Sequence, residues 1–238
     1  MHKKPDLKSV LKANDTRGVP TYGIPEAAHY LRIPPATLRS WVHGRYYRTD
    51  RGQKWFKPLI ALPDEKIPLL SFINLAEAHV LSACRRRHNI PLPNIRRALD
   101  YVAKEFGSRH PLIERDFETD GVTLFVTHLG KLIDASAQGQ TLMRDLVEQH
   151  LHRLERENNL VTRLYPFTRP PDMDSPKSVF FDSRLAFGRL VLASVTIPVK
   201  SIAERYKAGE SIGHLASDYG CQPSDIEEAI RCEFQLAA

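Results

Sequence analysis

Between positions 35 and 57 the chain carries side chains suited to gripping a polyanion. Thr37, Arg39, Ser40 and His43 face outward from one short segment once Leu38 and Trp41 are turned inward. A guanidinium can take a guanine edge bidentately or hold a phosphate, and small hydroxyls can bond phosphate or base. Just beyond, Arg45, Arg48, Arg51, Lys54 and Lys57 are interleaved with Tyr46, Tyr47, Trp55 and Phe56. Cations on a small hairpin can meet the backbone that flanks a groove. Each phosphate neutralised steepens the fall of log K with log salt by about 0.9. The chemistry expected is recognition of double-stranded DNA.

Other reactive side chains assemble no site. His79, Cys84 and His88 share one predicted helix. At about 100° per residue Cys84 falls about 140° from His79 and His88 about 180° away, so they cannot converge on one ion within that helix. His150 and His152 project to different faces. Arg85, Arg86 and Arg87 read as a solvated helix end, where the macrodipole favours positive charge. Cys84, Cys221 and Cys232 are odd in number and show no paired spacing, which argues against a disulfide framework and for a reducing compartment. A Gly-rich phosphate loop, a nucleophile elbow and a framed carboxylate pair are all missing from the sequence. No enzyme activity, metal or cofactor is expected.

The grip needs elements to hold it. Ile24 to Leu31 reads as a short helix, with Pro25 in its first turn and Glu26 at its positive end. Pro35 opens a second helix that Gly44 ends. Two aromatic-rich arms around Asp50-Arg51-Gly52 read as a β-hairpin. Leu59, Ile60 and Leu62 fold back onto the small core. Residues 71–88 are a strong helix with Ser71 as N-cap and an apolar stripe of Phe72, Leu75, Ala76, His79, Val80 and Ala83. Asn94 to Phe106 is another helix.

Between 115 and 135, Phe117, Val122, Leu124, Val126 and Leu132 suggest a short β-meander with turns at Asp120-Gly121 and Leu129-Gly130. A helix from Thr141 to about Glu157 follows, with Leu142, Leu146, Leu151 and Leu154 inward. Prolines 166, 170, 171 and 176 mark a boundary. Two short β-rich runs, Val179–Phe181 and Leu190–Ile197, precede three helices opened by Pro198, Ser211 and Pro223.

The fold class expected is mainly α with small β elements, an α+β chain. Its parts are a flexible arm over 1–20, a winged helix-turn-helix with following helices over 21–110, a linking or dimerisation region over 111–165, and a C-terminal domain over 176–238.

Charge divides the same way. Residues 1–60 hold twelve Lys/Arg against four Asp/Glu, residues 61–110 hold eight against five, and residues 111–238 hold fourteen against nineteen. Only the first half is built to meet a polyanion. No apolar run approaches the roughly 18 residues of a membrane span, and the start lacks the apolar stretch of a signal peptide. A cytoplasmic location is the expectation.

Two stretches resemble known families. Tyr22-Gly23-Ile24-Pro25-Glu26-Ala27-Ala28 followed by Pro35-Ala36-Thr37-Leu38-Arg39-Ser40-Trp41 resembles the winged helix-turn-helix of MerR-type regulators. The resemblance implies that Thr37, Arg39 and Ser40 lie on the DNA-facing helix. Pro34 stands where such sequences often have Ser, so a helix cap worth about 1 kcal/mol is missing. The long dimerisation helix of that family is replaced by two short ones.

The C-terminal residues are similar to the domain-of-unknown-function 433 family. They run from Val179-Phe180-Phe181-Asp182 through Thr196-Ile197-Pro198-Val199 to Ala203-Glu204-Arg205-Tyr206, Ala216-Ser217-Asp218-Tyr219 and Ile226-Glu227-Glu228-Ala229-Ile230. Ser194-Val195 stand where members often carry Gly-Thr. The order of the two domains resembles that of VapB-type antitoxins. That resemblance implies a PIN-domain ribonuclease toxin as protein partner, operator DNA as the other, and a homodimer reading an inverted repeat. Arg184 and Arg189 are then candidates for contacting the toxin's carboxylates. A stand-alone regulator without a toxin, or an interaction scaffold that binds no DNA, stay open.

Overall fold

The computed structural model describes residues 15–50, 52–86, 90–114, 117–157, 160–169 and 175–234. Two short helices come first, α1 (Ile24–Leu31) and α2 (Pro35–His43), then a hairpin of β1 (Arg45–Thr49) and β2 (Gly52–Phe56). Four longer helices follow: α3 (Phe72–Arg86), α4 (Leu92–Phe106), α5 (Val122–Ile133) and α6 (Ala137–Leu151). Strands β3 (Leu154–Glu157) and β4 (Leu160–Leu164) pair antiparallel, as do the two-residue strands β5 (Val179–Phe180) and β6 (Val191–Leu192). Helices α7 (Val199–Lys207), α8 (Ile212–Tyr219) and α9 (Pro223–Glu233) complete the order. The architecture is α+β, with only two-stranded sheets among the described residues.

Helix α3 is the hub. Every residue from Phe72 to Cys84 is buried, so this helix is covered on all sides rather than along the one stripe its sequence suggested. Its polar residues are satisfied internally. Ser71 Oγ caps the helix by accepting from Asn74 N at 3.2 Å, and Asn74 Nδ2 donates to Ala61 O at 2.9 Å and Glu77 Oε2 at 3.2 Å. One contiguous apolar cluster runs from Tyr22 through α3 to Cys232, joining both ends of the chain.

The expected β-meander is helix. A π-turn at Phe117–Gly121 leads into α5. Val122, Phe125, Val126 and Leu129 are buried at spacings of three, four and seven, the period of a helix face. Leu124 and Leu132, which made the pattern look alternating, are only half-buried. Gly130 is no turn but a mid-helix contact, since a Cβ there would come within 2.6 Å of the Gln140 side chain on α6.

Helix α6 also shifts from its expected place. It starts at Ala137, capped by Ser136 Oγ accepting from Gly139 N at 3.1 Å, and stops at Leu151, so that Leu154 belongs to β3. Met143, Leu146, Val147, His150 and Leu151 point inward, while Leu142 is exposed. Helices α7 to α9 match their signals closely: Pro198 stands before α7, Ser211 Oγ accepts from His214 N at 3.2 Å, and Gly220 closes α8.

Glu77 makes one further contact, with His110 Nδ1 at 2.9 Å, which pins the 107–114 loop to α3. Burial disfavours the His110 cation, but the Glu77 carboxylate outweighs it and the pKa is raised above 6.5. A pKa raised by folding contributes stability that is full below the unfolded value of about 6.5 and is lost as pH climbs through the folded pKa. Denaturation midpoints should therefore fall as pH rises past about 6.5 in that window, and His110→Gln should flatten the dependence.

Candidate nucleic-acid interface

The helix-turn-helix is set by local chemistry. α1 ends at Arg32, whose backbone turns left-handed (φ 54°) and whose N–H donates to Ala28 O and His29 O. Pro34 fills the N-cap of α2 and supplies no side-chain cap, as its ring dictates. Leu38, Trp41 and Val42 bury the inner side of α2.

On the outer side Arg39, His43 and Ala36 are exposed and Thr37 is half-buried. Ser40 departs from expectation. It is buried, and its hydroxyl folds back to donate to Thr37 O at 2.9 Å, so it offers no donor to a ligand in this conformation. The face of α2 thus narrows to Thr37, Arg39 and His43.

Hairpin register sorts the wing cations. Arg45 pairs with Phe56, Tyr46 with Trp55, Tyr47 with Lys54, Arg48 with Gln53 and Thr49 with Gly52. Opposed residues share a face and successive ones alternate. Phe56 is buried and Tyr47 half-buried, so Arg45 and Lys54 flank the inner face. Arg48 and Gln53 lie on the outer face beside Tyr46 and Trp55, whose rings meet at 4.7 Å and are 64% and 47% exposed, and Lys57 follows the hairpin as an exposed residue. Alternation of base and aromatic was visible in the sequence, but the exposed aromatic pair needed the register. Arg51 lies outside the described residues.

Gly44 sets how the wing leaves α2. Its φ is 74°, and a Cβ there would strike Phe56 O and come within 2.7 Å of Trp55 Cζ2. Gly44→Ala adds both left-handed strain and a backbone clash. We expect it to cost about 2 kcal/mol or more of stability and to swing the wing away from α2. Chemical denaturation and a DNA titration on the same sample measure the two effects.

A brace unforeseen in the sequence holds the other end of the wing. Arg96 on α4 donates to Lys57 O at 2.6 Å and to Pro58 O, and its guanidinium lies 5.4 Å from the Phe56 ring centre.

Long-range hydrogen bonds tie α1 and its flanking residues to the far half of the chain. Tyr22 OH donates to Gly188 O at 2.7 Å, Tyr30 OH to Glu233 Oε2 at 2.7 Å, and Arg32 Nε to Phe167 O at 3.1 Å. Burial, with Glu233 beside it, pushes the Tyr30 phenol far up, so it remains a donor across the physiological range.

The two C-terminal arginines are not equivalent. Arg184 is engaged with Asp182 at 2.8 Å and Glu157 at 2.9 Å. Arg189 is exposed. His79 and His150 do come together, with ring centres 4.9 Å apart, and both bond backbone carbonyls: His79 Nε2 that of His150 and His150 Nδ1 that of Leu146. Among the described residues no helix is long and apolar enough to cross a membrane.

Comparison with known proteins matches these two ends. Residues 20–99 match a family described as "Putative DNA-binding HTH domain", and residues 179–231 match "Protein of unknown function (DUF433)". The chain therefore combines an N-terminal helix-turn-helix with a C-terminal DUF433 domain. It is 28% identical over 229 residues to "Putative antitoxin VapB45" of Mycobacterium tuberculosis, covering 89% of this chain and 93% of the relative. It is 24% identical over 219 residues to "Uncharacterized protein Rv2308" of the same organism, covering 88% of each. Among solved structures, the crystal structure of Rv2018 from Mycobacterium tuberculosis superposes with a TM-score of 0.63 at 24% identity. The match covers 89% of this chain and 98% of that one, a likeness of fold.

Proposed function

We propose that this chain is the antitoxin of a type II toxin–antitoxin pair, which binds its own promoter and neutralises a PIN-domain ribonuclease. The observation that carries the reading is the near full-length similarity to a protein named as an antitoxin. The match of residues 20–99 to a DNA-binding domain supports the promoter role. The exposed Arg39 beside a basic wing supplies its chemistry. In this reading the chain works in the cytoplasm by binding alone, with no catalytic step. A MerR-like homodimer would set two copies of α2 about one helical turn apart on an inverted repeat.

The test has two arms. A gel shift with the upstream promoter should give a discrete complex that survives excess scrambled duplex. Co-expression with the adjacent toxin frame should restore growth and yield a co-purifying complex. A chain that shifts no promoter fragment and rescues no growth sinks the reading.

A further inference from the structure

The outer face of the hairpin, made by Tyr46, Arg48, Gln53 and Trp55, is exposed at all four positions. Two of the four are large rings that oppose each other across the strands, inclined by 56°. The hairpin is anchored without them, because buried Phe56 and half-buried Tyr47 hold its inner face to the core. Trp55 is nonetheless fixed in place. Its ring rests against Gly44, the residue that ends α2, at a distance that leaves no room for a Cβ. Tyr46 stands further out, so it is the leading ring of a preset pair that follows directly on His43 and the C-terminal end of α2. Rigid aromatic rings give much contact area at a low cost in conformational freedom.

Charge selects the occupant. Residues 20–63 hold seven Lys/Arg against two Asp/Glu, Glu26 on α1 and Asp50 in the hairpin turn, and the hairpin itself with Lys57 holds five against one. The next carboxylates along the chain are Asp64 and Glu65, on the loop that runs back to Leu70, where Asp64 Oδ1 accepts from Lys66 N at 2.8 Å. Asp100 on α4 is engaged by Arg96 at 3.9 Å. A second copy meeting the outer face about a two-fold axis would oppose two hairpins, each with five basic residues against one carboxylate. A polyanion that also offers flat apolar faces suits both the charge and the rings, and the bases of DNA are such faces.

We infer that Tyr46, backed by Trp55, is a wedge that enters the minor groove beside the site of α2 and parts a base step of the DNA. The inference rests on the promoter-binding reading above. A hairpin that leaves the C-terminal end of a helix lying in the major groove crosses one phosphate strand to the neighbouring minor groove. Arg48 on the same face meets the phosphates of that strand. The wedge reads no base edge. Its selectivity comes from deformability, because TA and CA steps part most easily. Insertion kinks the duplex toward the major groove by about 20–90°.

The experiment uses the full chain and its promoter duplex. The sequence has two tryptophans and Trp41 is fully buried, so the emission that acrylamide quenches reports Trp55. Promoter binding should shield Trp55 from acrylamide, and circularly permuted fragments should show a bend of about 20° or more. Tyr46→Ala should weaken promoter binding about tenfold and remove most of the bend, with the salt slope kept because no cation is lost. Tyr46→Phe keeps the ring and should keep affinity and bend. A promoter complex in which Trp55 stays open to acrylamide overturns the wedge and leaves the promoter reading intact. So does a Tyr46→Ala affinity within about threefold of the parent. A loss of affinity that comes with a fallen salt slope overturns it too, since the ring would then only prop the wing cations. Trp55 shielded in the free chain at concentrations where the chain dimerises would give the face to a second copy instead. A parent chain that shifts no promoter fragment overturns both readings.

Discussion

Arg39→Ala should weaken promoter binding by about fivefold to 150-fold, the equivalent of about 1–3 kcal/mol. Arg39 is the exposed guanidinium on the outer face of α2, with His43 one turn further on. What the loss looks like tells what Arg39 touches. If it reads a guanine, the affinity for scrambled duplex barely changes and the salt slope is preserved. If it holds a phosphate, both duplexes weaken together and the slope falls by about 0.9. Lys54→Ala is the internal standard, since a wing cation should lower the slope without changing sequence preference. Binding isotherms on promoter and scrambled duplexes across a salt series make the measurement. An Arg39→Ala, Lys54→Ala double variant whose affinity and slope match the parent would mean that α2 and the wing are not the DNA face.

The largest effect on stability is expected from Arg153→Met. This side chain is only 7% exposed, yet it is charged. Its guanidinium donates to four main-chain oxygens: Tyr165 at 2.9 Å, Ser175 at 2.7 Å, Pro166 at 3.0 Å and Pro176 at 3.1 Å. It also lies 4.9 Å from the centre of the Phe167 ring. One residue therefore gathers the carbonyls at both described ends of the proline-rich stretch. Methionine keeps much of the bulk and leaves those carbonyls without a donor. Hydrogen bonds from a charged group contribute about 1.5–3 kcal/mol each, though they do not add. A total loss of about 3–5 kcal/mol is expected, or roughly 6–20 °C in Tm for a chain of this size. Calorimetry on parent and variant decides it. A shift under about 2 °C would show that the stretch is held by other means.

Much of the DNA-binding end was legible because its signals are local. Pro25, Pro35 and Gly44 bound α1 and α2 by backbone chemistry that needs no distant partner, and the same holds for Pro198, Ser211 and Gly220 around α7 and α8. Failures came where tertiary packing outvoted a short pattern. Phe117–Ile133 mixes inward residues at helical spacing with half-buried Leu124 and Leu132, and its two glycines are contacts rather than turns. Ser40 was placed outward by helical phasing, but phasing says nothing of a hydroxyl turned back on its own helix. Arg153 left no trace in any motif, since its partners are main-chain oxygens 12 to 23 residues away. The bond from Arg184 to Glu157 was equally illegible, since the two lie 27 residues apart.

The bonds from Tyr22, Tyr30 and Arg32 span 166, 203 and 135 positions. On a ribosome adding about 5–20 residues per second, Glu233 is made about 10–40 seconds after Tyr30. The helix-turn-helix is thus made well before the residues that lock it. A growing chain carries Tyr22, Tyr30 and Arg32 before the partners of those three bonds exist. The order of residues along the chain therefore acts as a timer for the final setting of α1, which waits on Phe167, Gly188 and Glu233.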